Sequence, residues 1–159
     1  MHYILFSGHT SPLSNFYLAD FEKDGHKFCC SEQAYMYEKA KFFNDNEIAA
    51  RILHSVVYAG DAKKLGKMVA NFDERAWSKV KARKMADIVL AKFQQNEHIK
   101  EYLLEYGDDV AFVECSPWDN YWGNGLSIDD TRNTPVIRWP GKNMLGKVLD
   151  NVKRFMTIS

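Results

Sequence analysis

The longest periodic segment of the chain is WSKVKARKMADIVLAKFQQN, residues 77–96. Apolar side chains recur there at helical spacing, and basic side chains occupy the opposite face. The apolar stripe consists of Trp77, Val80, Met85, Ile88, Val89 and Phe93. The spacing predicts one long amphipathic helix over the whole segment.

Shorter helices are expected on both sides of this segment. Ser31 stands where an N-cap belongs, and the good helix formers EQAYMYEKAKFF follow it. Further helical patterns cover residues 45–54, 61–68, 99–107 and 145–156, and the third of these stops at Gly107. The helices therefore account for most of the predicted structure.

Three short apolar runs predict strands: YILF at residues 3–6, HKFCC at 26–30 and VAFVE at 110–114. The stretch between the first two, which contains Asp24 and Gly25, is either a hairpin or an irregular connection. Because strands and helices do not alternate regularly, the predicted fold class is α-rich α+β, mostly helices with a few short strands. No linker or repeat divides the chain, so a single compact domain is expected over residues 1–159.

Composition narrows the class of protein. The length of 159 residues suits one sizeable core, and the 46% hydrophobic fraction favours a folded globule. Lys+Arg and Asp+Glu number 21 each, so net charge provides no general attraction to nucleic acid or anionic membranes. No apolar run approaches the roughly 20 residues of a membrane span, and the N-terminus lacks a signal-peptide pattern. The chain is predicted to be cytoplasmic, with no membrane partner; no feature predicts an oligomeric state.

The cysteines predict reduced, buried thiols. Cys29 and Cys30 are adjacent and Cys115 stands alone, an odd count without the spacing of a disulfide framework. No CxxC or HxxxH spacing is present. We therefore predict no metal site and no cofactor.

One loop combines aromatic rings with a carboxylate. SPWDNYWGNGL, residues 116–126, places Asp119 among Trp118, Tyr121 and Trp122, with glycines that let the backbone turn or approach a ligand. Such loops often build small-molecule sites. A packed turn whose rings cover the core explains the same residues, and the loop alone does not decide between the two.

The first predicted helix carries Glu32 and Lys39 seven residues apart. Two helical turns return both side chains to nearly one face, about 10 Å apart along the axis. A ligand along this face would meet an acid at one end and an amine at the other. The alternative is a solvated face of ordinary helix residues.

Three weaker candidates each have a structural alternative. Ser14, Asn15 and Phe16 would suit hydrogen bonds to sugar hydroxyls or a base edge, or simply form a turn. Trp77 beside the basic run 79–84 would stack a base, or belong to the core. Gly141-Lys142-Asn143 would present backbone N–H groups and a cation to an anion at a helix start, although the spacing is not that of a P-loop.

Taken together, these segments resemble the NADAR family, also called the YbiA-like or riboflavin-intermediate N-glycosidase family. The resemblance runs nearly end to end and in order. It rests on SPLSNFY (11–17), CSEQAYMYEKAKFF (30–43), Trp77 with RKM (83–85), AKF (91–93), ECSPWDNYWGNGL (114–126) and WPGKNMLGKVL (139–149).

The resemblance implies a YbiA-like fold and hydrolysis of an N-glycosidic bond between a phosphorylated ribose and a base or amine. Family substrates include ribosylamino-pyrimidine intermediates of riboflavin synthesis and ADP-ribose conjugates, among them ADP-ribosylated guanine in DNA. The alternative is a non-catalytic module that binds NAD or ADP-ribose. By similarity, site residues fall on Glu32, Lys39, Trp77, Asp119 and Trp122.

The chemistry of this bond agrees with those residues, because a carboxylate stabilises an oxocarbenium-like state or activates water. We expect Glu32 to perform the hydrolytic step with Asp119 as its partner, and Lys39 either to bind phosphate or to attack as an amine. The expected substrate-binding residues are Ser14, Asn15, Phe16, Trp77, Trp122, Gly123, Lys142 and Asn143. Trp118 and Tyr121 are expected to pack.

Overall fold

The computed structural model describes residues 1–158, and helices predominate among them. The strands are β1 (His2–Phe6), β2 (Phe21–Lys23), β3 (His26–Phe28) and β4 (Val110–Glu114). The helices are α1 (Ser31–Phe42), α2 (Asn46–Ser55), α3 (Ala59–Gly66), α4 (Glu74–Ser78), α5 (Lys81–Gln94), α6 (Glu97–Leu104), α7 (Ile128–Arg132) and α8 (Met144–Ile158), with a 3-10 turn at Val136–Arg138. The predicted α-rich α+β class is confirmed.

The chain divides into two compact units. Met1–Ser14 and the chain from Glu101 onward form the first, and Asn15–Lys100 forms the second. The expectation of a single domain over residues 1–159 stays a prediction. No helix in residues 1–158 is long and apolar enough to cross a membrane.

In the first unit, β1 and β4 form a parallel pair in which Ile4 lies opposite Phe112. Parallel strands require a long crossover, and here more than a hundred residues separate β1 from β4. Helix α8 packs against β4. Its inner face buries a continuous apolar row: Leu145, Val148, Leu149, Val152 and Met156.

In the second unit, β2 and β3 form an antiparallel hairpin with Phe21 opposite Phe28. Asp24 and Gly25 close it with positive φ angles of 52° and 82°, as a type I′ turn requires. The hairpin alternative is therefore correct, and the strand at residue 26 ends at Phe28. Helix α1 is central to this unit, because α2, α3 and α5 all pack against it.

The predicted long helix over residues 77–96 is wrong, because the helix is interrupted between α4 and α5. The N–H groups of Lys79 and Val80 donate three residues back, to Ala76 and Trp77, and Val80 has a non-helical φ of −122°. Because of this interruption, Trp77 belongs to α4 and is not on the apolar face of α5. Trp77 points instead to α1, where its indole N–H reaches Tyr35.

Two helix ends also differ from prediction. Cys30, with an extended backbone, is the N-cap of α1, and Ser31 is the first helical residue. Helix α6 covers Glu97–Leu104 and stops before Gly107. Helix α7 was not predicted; Ser127 caps it by accepting the N–H of Asp130 at 3.0 Å.

Candidate functional site

Glu32 lies in the first turn of α1 and is only 7% exposed. Its backbone N–H donates to the carbonyl of Asn15 at 3.0 Å, which fixes the start of the helix against residues 15–16. The partial positive charge at a helix N-terminus stabilises a carboxylate in this position. A buried acid is thus held by backbone structure at a fixed place in the Asn15–Lys100 unit.

Lys39 lies two turns further along α1 and is half-buried. Its ammonium donates to the carbonyl of Gly66 at 3.0 Å and stands 4.6 Å from the ring centroid of Phe72. Burial lowers the pKa of Lys39, whereas attraction to Glu32 and Glu74 opposes that shift. The acid and amine predicted to share a face therefore act on each other through space.

Trp77 is 3% exposed, and its indole N–H donates to the hydroxyl of Tyr35 at 3.0 Å. Phe42 and Phe43 of the α1 end also contact its ring, with centroids 5.5 Å and 6.1 Å away. These contacts attach α4 to α1. Direct stacking of a base on Trp77 stays a prediction, and the contacts observed give the ring a packing role.

Residues 14–16 are only partly available to a ligand. Ser14 and Asn15 are buried, and Asn15 Oδ1 has no hydrogen-bond partner in the part of the chain that the structure describes. The Phe16 ring lies 5.9 Å from the ammonium of Lys63 on α3. Phe16 thus brings an aromatic surface and a cation together in the Asn15–Lys100 unit.

In the other unit, Asp119 organises the aromatic loop of residues 116–126. One of its oxygens, Oδ1, accepts the N–H groups of Tyr121 at 2.9 Å and Trp122 at 2.8 Å. The other oxygen, Oδ2, makes no hydrogen bond within residues 1–158. Asp119 therefore holds the loop with one oxygen and keeps an acceptor on the other.

The backbone N–H groups of Gly141-Lys142-Asn143 do not form the expected anion site. The N–H groups of residues 141–145 donate in succession to carbonyls of the aromatic loop, at 2.8 to 3.1 Å. A backbone N–H already paired in this way has no proton to offer a phosphate. The exposed ammonium of Lys142, 5.8 Å from the Tyr121 ring, is the part of the motif that still suits an anion.

The side chain of Asn143 is likewise engaged. Its Oδ1 accepts the N–H of Glu114 at 3.0 Å, and its Nδ2 donates to the carbonyl of Phe112 at 2.9 Å. The residue adopts a positive φ of 51°, which asparagine tolerates better than most residues. Asn143 clamps α8 to β4, and its expected role in substrate binding stays a prediction.

We expect Asn143→Ala to destabilise the protein by about 2–3 kcal/mol. The change removes two hydrogen bonds to β4 and places at positive φ an alanine, which tolerates this conformation less well than asparagine. Urea unfolding measures the change, and Lys142→Ala, an exposed neighbour, provides the control. Unchanged stability with weakened substrate binding would show instead that the amide serves the ligand.

The exposure of the rings in the aromatic loop differs from the prediction. Trp118, expected to pack, is 90% exposed. Trp122 is half-buried and meets Tyr121 edge to face at 4.8 Å. Gly123 is buried, and a Cβ there would come within 3.0 Å of the carbonyls of Asp119 and Glu114. The absence of a side chain at position 123 thus serves the loop's own packing.

Several supporting residues had no sequence signal. Gly66 and Phe72 reach Lys39 from the end of α3 and the turn before α4. Asn124 is fully buried, and its Nδ2 donates to the hydroxyl of Thr131 at 2.9 Å. These partners are distant in sequence or lie in irregular segments, where periodicity carries no information.

The sequence-predicted residues therefore fall into two groups. Asn15, Phe16, Glu32, Lys39 and Trp77 belong to the unit built around α1, and the remaining candidates to the unit that contains β4. No three metal-binding side chains cluster within residues 1–158. All three cysteines are free thiols.

Similarity to known proteins extends over nearly the whole chain. The sequence profile of the NADAR domain matches residues 5–157. Protein irg-1 of Caenorhabditis elegans is 38% identical over 148 residues, which cover 91% of this chain and 68% of that protein.

Two other similar proteins are named for an activity. N-glycosidase R617 of Acanthamoeba polyphaga mimivirus is 36% identical over 127 residues, covering 80% of this chain and 74% of that protein. N-glycosidase Npun_R5314 of Nostoc punctiforme is 32% identical over 118 residues, covering 74% and 68%.

A solved structure shares the fold. The NMR structure of the E. coli protein YbiA superimposes with a TM-score of 0.79 at 25% identity. The match covers 99% of this chain and 86% of the other.

Proposed function

This chain belongs to the NADAR domain family, as its motifs predicted, and we propose that it hydrolyses the bond between a phosphorylated ribose and a base or an amine. The coarser activity, hydrolysis of N-glycosyl bonds, follows from its N-glycosidase relatives. The observation that carries the proposal is the pairing on α1 of a buried carboxylate, Glu32, with a half-buried amine, Lys39.

Cleavage of an N-glycosidic bond develops positive charge on the anomeric carbon and the ring oxygen. A carboxylate near that carbon stabilises the charge, and it also removes a proton from the attacking water. We assign these roles to Glu32, whose buried position keeps bulk water from weakening the attraction. Asp119 belongs to the other unit, and its expected role as the second carboxylate stays a prediction.

Lys39 has two proposed roles, binding of a substrate phosphate as an ammonium and attack on the anomeric carbon as a neutral amine. Burial lowers its pKa, which increases the fraction of neutral nucleophile at a given pH. In this route the amine nitrogen bonds to the anomeric carbon as the bond to the base breaks, and the base leaves with a proton. Ring opening then gives an imine, which water hydrolyses.

We expect borohydride added during turnover to reduce this imine and leave a ribosyl adduct on Lys39, detected by peptide mass spectrometry. Trapping increases with pH up to the lowered pKa of Lys39, because only the neutral amine attacks. Lys39→Arg keeps the charge but should lose both adduct and activity. An active Lys39→Arg enzyme without any adduct would assign Lys39 to phosphate binding instead.

The substrate itself is tested by offering two compounds, a ribosylamino-pyrimidine phosphate and DNA carrying ADP-ribosylated guanine, and reading the products by mass spectrometry. Release of free base or amine from either compound supports the proposal. Tight binding to ADP-ribose without release would support a non-catalytic binding module. If the DNA is cleaved, the salt dependence of binding separates backbone recognition from recognition of the ADP-ribosyl group alone.

A further inference from the structure

Two adjacent thiols stand immediately before α1 and have no part in the proposed hydrolysis. Cys30 is 0% exposed, whereas Cys29 is only half-buried, contrary to the expectation that every cysteine is buried. Their sulfurs are 3.9 Å apart, within hydrogen-bond distance for sulfur. The pair is thus one accessible thiol backed by one inaccessible thiol.

Cys29 opens into a cleft of about 550 Å³ inside the Asn15–Lys100 unit. The cleft is large enough for a small organic molecule. Its lining combines apolar side chains with the charged and amide groups of Asp20, Glu22, Lys27 and Gln33. The backbone at Cys29 is fixed there, because its N–H donates to Gln33 Oε1 at 2.7 Å while Gln33 Nε2 donates to the carbonyl of Ile52 at 2.9 Å.

The two thiols differ in acidity. The hydrogen bond with Cys30 lowers the pKa of Cys29, although burial and the carboxylates of Asp20 and Asp61 oppose the shift. The same hydrogen bond, together with burial, raises the pKa of Cys30. Cys29 is therefore the thiol that ionises, and Cys30 the donor that stabilises its thiolate. The other titratable groups acting on Cys30 are Glu32 and Lys92.

We propose that Cys29 is a site of reversible S-thiolation by small disulfides with cationic ends, and that Cys30 activates it. The Cys29 thiolate attacks one sulfur of the disulfide, a new S–S bond forms, and the original S–S bond breaks. The departing thiolate takes a proton from water. The protein sulfur is oxidised, the small disulfide is reduced, and one equivalent of free thiol is released.

The product stays a mixed disulfide because Cys30 is poorly suited to displace the added group. Its thiol is buried and its raised pKa keeps it protonated. Neighbouring Cα atoms are about 3.8 Å apart, closer than the roughly 4.4–6.8 Å of ordinary disulfides, so a bond between adjacent cysteines is strained. Cys30 therefore acts through Cys29 as a positioning residue.

Charge around the cleft selects the disulfide. Asp20 and Asp61 both act on the Cys29 sulfur, and the lining adds Glu22 against a single ammonium, Lys27. Carboxylates attract a disulfide that ends in ammonium groups and repel one that ends in carboxylates. Cystamine should accordingly react faster than glutathione disulfide.

The test incubates the full chain with cystamine or with glutathione disulfide and follows adducts by intact mass and peptide mapping. We expect one adduct, on Cys29, that dithiothreitol removes, formed about threefold or more faster by cystamine at low salt, with less difference at high salt. Cys29→Ser should lose the adduct. Cys115→Ser, which changes the other buried thiol, should react like the wild type.

The role of Cys30 has its own readout. Cys30→Ala should slow the reaction of Cys29 near pH 7 by about two- to fivefold and move its pH–rate midpoint upward, since the donor is lost and increased nucleophilicity only partly compensates. Cys30→Ser retains a donor and should restore most of the rate. Circular dichroism of both variants establishes that they are folded.

Three outcomes would overturn the proposal. One is reaction of Cys29 in the folded chain no faster than in the urea-unfolded chain. Another is equal reactivity with cystamine and glutathione disulfide at low salt. The third is a folded Cys30→Ala variant with an unchanged pH–rate profile. Because the readout is a mass change on Cys29, the result is independent of N-glycosidase activity.

Discussion

We expect Glu32→Gln to reduce kcat for hydrolysis of the N-glycosyl bond by about 10²–10⁴-fold, the range typical of a lost acid–base group. Glutamine keeps the size of the side chain but cannot accept the proton of the attacking water or neutralise a cationic sugar. The backbone contact from residue 32 to Asn15 is unchanged by the substitution. The loss should therefore appear in turnover and not in folding.

Glu38→Gln is the matched control, because Glu38 lies on the same helix and pairs with Lys23 at 3.1 Å and Lys84 at 3.5 Å. Both pairs are partly buried, and neither contains a residue proposed to bind or cleave the substrate. We expect Glu38→Gln to change kcat by less than about twofold, which corresponds to a change of at most ~0.4 kcal/mol in the activation free energy. Wild-type turnover in a folded Glu32→Gln variant would remove Glu32 from the mechanism.

Local sequence patterns predicted most helices because their information is local. The helix from residue 31 and the shared face of Glu32 and Lys39 depend only on spacing along one helix. The break after Ser78 accompanies the contact of Trp77 with Tyr35, a partner 42 positions away. Periodicity includes no term for such a partner, so two helices were predicted as one.

The candidate site shows the same division. The residue types at Asp119 and in the Gly141-Lys142-Asn143 motif were recognised, but their hydrogen-bond partners were not. Asp119 closes its own loop, and the motif's N–H groups satisfy carbonyls of residues 120–124. A polar residue in a loop has both local and ligand uses, and only the three-dimensional partner of each atom distinguishes them.

Gly146→Ala should destabilise the protein by about 3 kcal/mol or more, although the same change in an ordinary helix interior stabilises by about 1 kcal/mol. Gly146 lies in the first turns of α8, where a Cβ would overlap the carbonyl oxygen of Phe112 and the amide of Asn143. Neither obstacle is the end of a flexible surface side chain. Relief requires α8 to move away from β4.

Thermal unfolding tests both the direction and the size of the change in Tm, since helix propensity predicts an increase and steric overlap predicts a decrease. A decrease in Tm of about 6–12 °C is expected for a chain of this length. Lys147→Ala, an exposed change on the same helix, should shift Tm little. An increased Tm in Gly146→Ala would mean that α8 does not lie this close to β4.

The two changes at this contact should not be additive. Asn143 spans the same gap, bonding both Phe112 and Glu114, so a Cβ at position 146 displaces the amide that makes those bonds. Once Gly146→Ala has broken the clamp, removing the amide costs little more. The Asn143→Ala, Gly146→Ala double variant should therefore lose about 1 kcal/mol less stability than the sum of the single variants. An additive double variant would show that the glycine and the asparagine hold α8 independently.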